Sequence, residues 1–388
     1  MTGRKTIRTP TRLASRRSGI IILFSHDIFS AQTTGGISRC MVELMHALDV
    51  ARCTSWRLYP GRHDNALLAE VQDANWYACH AIGGITAGGR RSPLSALRNE
   101  IGLRRLATMK PSPKQTIVHR TYHPVIDLLP RSMPVIETVH DMWDFIAANE
   151  RSPRAALRRH LKRRALERAS VIVCVSHSTR NYLGNLWPWL ADRSIVIPHG
   201  TSQLSNRPVQ VDRARPFFLF VGRRDRYKNF MLLLDALAML NGEAEIVCFG
   251  GGPLNDSERA TIIQLGLTAR VHQIDGDDHV LAGYYQAARA LLYPSLHEGF
   301  GLPLLEAMSL DCPVVAAPLT SLPEVGGDAA LYADAHDAHA WCDVMTRLIE
   351  DRDVRDRTIV AGRARSAAFS WEATAQRHAA LYAEMEAR

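Results

Sequence analysis

The sequence has no paired-cysteine motif. Its seven cysteines are dispersed and none stands in a Cys-x-x-Cys spacing. An odd, scattered count in a chain of this size points to free thiols in a reducing compartment. No apolar run approaches the roughly 18 residues that a membrane-spanning helix needs. The run Ile20–Ile21–Ile22–Leu23–Phe24 behind a basic N-terminus is too short for a signal-peptide core. The expectation is a cytoplasmic protein without a membrane anchor of its own. There is no internal repeat, no low-complexity segment and no Gly-x-Gly-x-x-Gly, so a dinucleotide reading is weak. No basic stretch is interleaved with aromatics. The net charge of +8 is therefore the sole feature that suggests a nucleic-acid partner, and none is expected.

What is present fits a globular protein. The 388 residues, 46% of them hydrophobic, are enough for two domains of ordinary size. The basic balance suits an acidic partner surface. Residues 1–18 carry Arg4, Lys5, Arg8, Arg12, Arg16 and Arg17 and read as a disordered arm, either solvated or in contact with anionic lipid. The segment from Pro153 to Ala169 reads as a basic amphipathic helix. Its apolar stripe is Leu157, Leu161, Ala165 and Leu166, so it is either a surface helix packed on a sheet or a peripheral membrane contact.

The chain is organised around Ser295 to Val315. An apolar strand ends at Pro294, a loop carries Glu298, and a helix begins near Pro303 with Glu306 inside it. Gly299 and Gly301 let backbone N–H groups approach an anion, and the following helix adds the positive end of its dipole. Together they form a phosphate site without a metal. A carboxylate beside a phosphate is repelled unless it has its own donor, such as a sugar hydroxyl. Two flanking carboxylates, Glu298 and Glu306, thus suggest a ligand carrying both phosphate and hydroxyls, a sugar nucleotide.

Other segments repeat the strand, loop and helix layout. Ile20 to Phe24 is a buried-type strand, followed by a loop to Gly35–Gly36 and a helix from Ile37. Short strands at Thr116–His119 and Pro134–Val139 end in histidine-bearing segments, the second at His140–Asp141. Residues at the carboxyl ends of strands line the ligand crevice of open α/β sheets. Phe217 to Val221 opens a second such half. Its loop carries Arg223, Arg224, Arg226 and Lys228, cations that suit a diphosphate. Asp275–Gly276–Asp277 has the form of an Asp-x-Asp metal motif. It precedes a helix from Val280 that Asp277 and Asp278 can cap, and the cap is the reading taken.

EGFGLPLLEAM, spanning Glu298 to Met308, resembles the glutamate–seven residues–glutamate signature of glycosyltransferase family 4. One departure is Asp311, where members usually have glycine. FSHDIFSAQTTGGISRCMVEL, TVHDMWDF, VIPHG, VGRRDRYKNFMLLLDAL and SLPEV resemble further landmarks of the family, in the expected order, over residues about 20 to 380. The resemblance implies a retaining, nucleotide-sugar-dependent enzyme with the GT-B fold, in which two Rossmann-like domains face each other across a cleft.

The boundaries that follow are residues 1–18 for the arm, 19–200 for an acceptor domain and 201–216 for a linker. Residues 217–368 form a donor domain, and 369–388 a helix crossing back to the first domain. The resemblance places Gly35 and Gly36 against the donor sugar and phosphate, and His140 on the sugar. It assigns Arg223 and Lys228 to the diphosphate, with Arg224 and Arg226 as competitors to the arginine. Backbone near Ile274 takes the nucleobase. The loop Gly299–Phe300–Gly301–Leu302 takes phosphate, Glu306 the ribose hydroxyls and Glu298 the sugar hydroxyls.

Glu298 is the one nucleophile candidate by position, and front-face attack without a covalent intermediate is the competing route. No metal or other cofactor is expected. The expected partners are a nucleotide-sugar donor, GDP-mannose as first guess, and a glycan or lipid-linked acceptor in bacterial surface polysaccharide. A GT-B nucleotide-sugar epimerase is the alternative enzyme.

Overall fold

A computed structural model describes residues 20–387 apart from 83–85, 88–91, 110–115, 147–151, 203, 205–206, 225 and 243; the side chains of 86 and 87 are likewise outside it. The basic arm, the glycine pairs at 83–84 and 88–89, and Asp225 fall outside the described residues.

Two six-stranded sheets carry the fold, and every paired strand is parallel. The first has the order Trp56–Leu58, Ile21–Phe24, Thr116–Arg120, Val135–Val139, Val171–Cys174, Ser194–Val196. The second has the order Val271–Ile274, Glu245–Phe249, Phe217–Val221, Leu291–Tyr293, Val314–Ala316, Leu331–Tyr332. Their central strands are apolar on both faces because helices cover both, which is why each reads as a continuous hydrophobic run. In the second sheet the order reverses between Phe217–Val221 and Leu291–Tyr293. The loops leaving the carboxyl ends of those two strands therefore open into the crevice at the switch point.

The stretch expected as a loop between Ser25 and Thr34 contains a short helix, Asp27–Ala31. Asp27 is buried and faces Arg120, whose guanidinium also meets Glu100 at 2.7 Å and Asp127 at 2.9 Å. His26, Asp27 and Glu100 form a cation-ligating geometry, but the guanidinium already lies among those carboxylates. The network ties the ends of two strands together.

The apolar stripe expected on helix Pro153–Arg168 is corrected by the structure. Leu157 is exposed, and the buried positions are Ala155, Lys162, Ala165 and Leu166. Lys162 turns inward because its ammonium donates to the Asp141 carbonyl at 2.7 Å and lies 3.4 Å from the Asp141 carboxylate. Its aliphatic stem contributes to the packing. Among the described residues no helix is long and apolar enough to cross a membrane.

Asp311 adopts a left-handed backbone, φ 61°, at the position where glycine was the expected residue. Aspartate tolerates that region better than most side chains, and Arg363 Nη2 holds its carboxylate at 2.6 Å. The last helix, Trp371–Ala387, packs against Gly36–Ala51 of the first domain. Tyr382 inserts into that domain's core, its hydroxyl 2.8 Å from His119 Nδ1.

Candidate active site

A cavity of about 870 Å³ lies between the two domains. Gly35, Gly36, His140, Arg223, Lys228, Glu298, Gly299, Phe300, Gly301, Leu302 and Glu306 all line it. These positions come from four separate stretches of chain, and the fold brings them together. Ile274 is not among the lining residues; its carbonyl accepts the Gly250 N–H at 2.8 Å.

The loop after strand Phe217–Val221 and the loop after Leu291–Tyr293 meet, with the Leu296 N–H donating to the Tyr227 carbonyl at 2.7 Å. That meeting sets Lys228 Nζ 2.6 Å from Glu298 Oε1 and 2.9 Å from the Tyr293 hydroxyl. The Glu298 backbone is held in turn. Its N–H donates to Thr320 Oγ1 at 3.0 Å, and its carbonyl accepts from Ser321 Oγ at 3.0 Å. Gly301 has φ 102°, which a side-chain-bearing residue rarely adopts, and starts helix Leu302–Ser309.

Gly299 is glycine for another reason. A Cβ there would lie 1.7 Å from the His140 carbonyl oxygen of the opposite domain. Its own carbonyl accepts from Ser176 Oγ at 2.7 Å and Thr179 Oγ1 at 3.1 Å, both also from the first domain.

Arg224 is ruled out as the cavity's arginine. Its guanidinium reaches Glu258 at 3.1 Å and the carbonyls of Gly250 and Gly252 at 3.1 and 2.6 Å, fixing the glycine turn. Neither Arg224 nor Arg226 lines the cavity, whereas Arg223 is exposed along it.

Glu306 is 6% exposed, and its Oε2 accepts from the Tyr285 hydroxyl at 3.3 Å. Burial raises its carboxyl to about 7, against the pull of Arg39 and the tyrosine hydrogen bond. His140 is buried, and burial lowers its imidazole to about 4, so it is neutral near pH 7. Its Nε2 lies 3.3 Å from the Thr121 carbonyl. A carbonyl only accepts, so Nε2 carries the proton. Nδ1, which has no hydrogen-bond partner, is left as an acceptor. Asp141 is held below the usual carboxylate range. Burial alone would raise it, and Lys162 with the Trp143 N–H outweighs that.

Three contacts that sequence reasoning missed join the domains. Arg39 makes a bidentate pair with Asp278 at 2.6 and 2.7 Å. Glu324 accepts from the N–H groups of His177 and Ser178 at 2.9 and 3.1 Å, capping a helix of the other domain. His297, buried beside Trp143, lines the cavity with neither ring nitrogen hydrogen-bonded. Arg39 and Asp278 are 239 residues apart, so no local signal joins them. Asp277, by contrast, caps helix Asp278–Ala287 through the His279 and Val280 N–H groups, as its spacing indicates.

Residues 203–365 match the model for Glycosyl transferases group 1, and residues 34–202 match that for Glycosyltransferase Family 4. The chain is 30% identical to O-antigen chain mannosyltransferase B of Escherichia coli, over 90% of this chain and 96% of that protein. The chain belongs to glycosyltransferase family 4. The glycosyltransferase is also 27% identical, over 65% of its length, to the D-inositol 3-phosphate glycosyltransferase of Corynebacterium efficiens, of which 66% is aligned. Among solved structures it resembles sucrose-phosphate synthase from Thermosynechococcus elongatus. The TM-score is 0.72 at 23% identity, over 96% of this chain and 100% of that one. The likeness shows the GT-B fold, two Rossmann-like domains.

Proposed function

We propose that the cavity holds a nucleotide sugar, GDP-mannose first among the candidates, and that the enzyme transfers its sugar with retention to a glycan or lipid-linked acceptor in surface polysaccharide synthesis. The observation that carries this reading is the Lys228–Glu298 pair, set 2.6 Å apart beside the Gly299–Gly301 turn. One partner suits a diphosphate and the other suits hydroxyls. Similarity to an O-antigen mannosyltransferase along nearly its whole length supports the choice of sugar and acceptor.

In this mechanism Lys228, Arg223 and the N–H groups at the start of helix Leu302–Ser309 meet the charge that develops on the leaving diphosphate. They fill the role a metal has in other transferases. Lys228 moves from Glu298 to the diphosphate as donor binds, which frees Glu298 for the sugar. Glu306 accepts from ribose hydroxyls, and Nδ1 of His140 accepts from a sugar hydroxyl. The bond from the anomeric carbon to the β-phosphate oxygen breaks. The acceptor oxygen bonds the same face of that carbon, and its proton leaves on the diphosphate. A covalent step through Glu298 gives the same stereochemistry by two inversions.

The test is thermal stabilisation by GDP-, UDP- and dTDP-sugars, followed by turnover with the stabilising donor and lipid-linked glycan or inositol phosphate as acceptor. Stabilisation by GDP-mannose and mannosyl transfer to the glycan are expected. Stabilisation by UDP-sugars alone would overturn the donor choice. Conversion of the donor to an epimer without acceptor would replace transfer with epimerisation.

A further inference from the structure

A second cavity, of about 410 Å³, is lined by Arg213, Arg215, Arg289 and Arg355 beside Val211 and Phe217. Arg213 and Arg215 precede strand Phe217–Val221, and Arg289 precedes Leu291–Tyr293. The Arg289 N–H donates to the Phe217 carbonyl at 2.8 Å. The cavity therefore lies at the amino ends of the two strands whose carboxyl ends carry the active-site loops. Parallel strands put those two edges on opposite sides of the sheet.

Four arginines line it, and two of them, Arg289 and Arg355, meet no described carboxylate. Glu245 is held by Arg213 at 2.6 and 3.1 Å and lies 3.4 Å from His272 Nε2. Asp212 is exposed and does not line the cavity. Among the described residues Arg289 and Arg355 form no ion pair. Arg355 Nε is buried without a hydrogen-bond partner, and an unanswered buried donor is costly. Arg270, close by, is held below the usual arginine value, by burial first and by the charge of Arg215 second. Arg289 and Arg355 thus carry positive charge that no described carboxylate pairs with.

We propose that this cavity binds a phosphate-bearing anion, a phosphate ester or a diphosphate, in the guanidinium forks of Arg289 and Arg355, with Arg213 and Arg215 at its rim. Planar forks match phosphate oxygens two at a time, and among the described residues no carboxylate pairs with those of Arg289 and Arg355. The anion comes either free from solution or as the headgroup of an acidic lipid.

The experiment uses the full chain with Arg223→Ala and Lys228→Ala, so that the active site does not mask the signal. Pyrophosphate is titrated by calorimetry, and flotation is measured with phosphatidylcholine vesicles with and without phosphatidic acid. The second-site variants in this background are Arg289→Gln with Arg355→Gln, and separately Ala214→Glu. Ala214 is exposed and lines the cavity, so the introduced carboxylate fills the site without disturbing the core. At least about tenfold weaker pyrophosphate binding in both variants is expected for a free anion, the loss of one charged hydrogen bond or more. Loss of binding to the phosphatidic acid vesicles in both variants is expected for a lipid headgroup. Pyrophosphate and vesicle binding both unchanged in the two variants would overturn the proposal.

Discussion

Lys228 Nζ lies 2.6 Å from Glu298 Oε1, bridging the loops that follow the two strands at the switch point of the second domain. The two groups come from either side of the crevice and neutralise each other. In the mechanism proposed above, a donor with a negative diphosphate and a hydroxylated sugar would separate them and give each a partner of its own.

Lys228→Ala should lower kcat/KM by about 2–4 kcal/mol in transition-state terms, roughly 30- to 1000-fold, as for loss of an electrostatic stabiliser. Lys228 is in a half-buried short turn, so the fold should persist. Steady-state kinetics with saturating acceptor check this. Wild-type values would move the diphosphate elsewhere in the cavity.

The two glutamates should separate kinetically. Glu306→Gln should raise donor KM more than it lowers kcat, because contacts to the ribose exist in substrate and transition state alike. Glu298→Gln should chiefly lower kcat, because positive charge develops at the sugar it faces. Equal losses confined to KM in both variants would remove Glu298 from the reacting centre.

Gly299→Ala should cost activity through the domain interface. The added Cβ meets a backbone oxygen at 1.7 Å, and neither backbone segment can yield without parting the domains or moving the Glu298 loop. A loss of about 100-fold or more in kcat/KM is expected on the scale of a misplaced catalytic group. Near-native activity would mean that the two domains do not meet this way during turnover.

Glu324→Ala should open the cleft. It leaves the His177 and Ser178 N–H groups without a partner, a lost cap of about 1 kcal/mol. Small-angle scattering should show a larger radius of gyration. Glu324→Gln keeps one of the two acceptors and should fall between. Identical scattering from all three proteins would show that the cap does not hold the domains together.

Stability should carry an opposing pair of pH slopes. Glu306 is raised from 4.5 to about 7. The folded state then holds more protons than the unfolded state in that window, and stability falls as pH rises through 7. The full effect is up to about 3 kcal/mol. His140 and His378 are lowered from 6.5 to about 4 by burial. There the unfolded state holds more protons, and stability falls as pH drops from 6.5 through 4. Denaturant titrations of wild type and Glu306→Gln between pH 5 and 8 should show the first slope and its disappearance. The same slope in both proteins would assign it to another group.

How far the sequence could be read depended on the range of each interaction. Glu298, Gly301 and Glu306 are close in sequence, so a strand, a glycine turn and a helix start placed all three on one cavity. Asp277 was legible as a cap for the same reason. The domain contacts were not. Arg39 finds Asp278, and Glu324 finds the helix at His177, only through the closed cleft. Lys162 reads as a solvent-facing cation among seven basic residues of its helix, yet Asp141, 21 residues earlier, draws it inside. Gly299 was legible as a turn glycine near an anion. Its close contact with the His140 carbonyl depends on the other domain and leaves no mark in the local sequence.

The most direct measurement is the NMR spectrum of the glycoside formed from GDP-α-mannose with excess chelator present. The one-bond coupling at the anomeric carbon reports its configuration. An α-linked product at an undiminished rate is expected if Lys228, Arg223 and the backbone N–H groups at Gly299–Leu302 carry the diphosphate and the acceptor attacks with retention. A β-linked product would contradict the retaining mechanism, and a loss of turnover restored by magnesium or manganese would contradict the metal-free site.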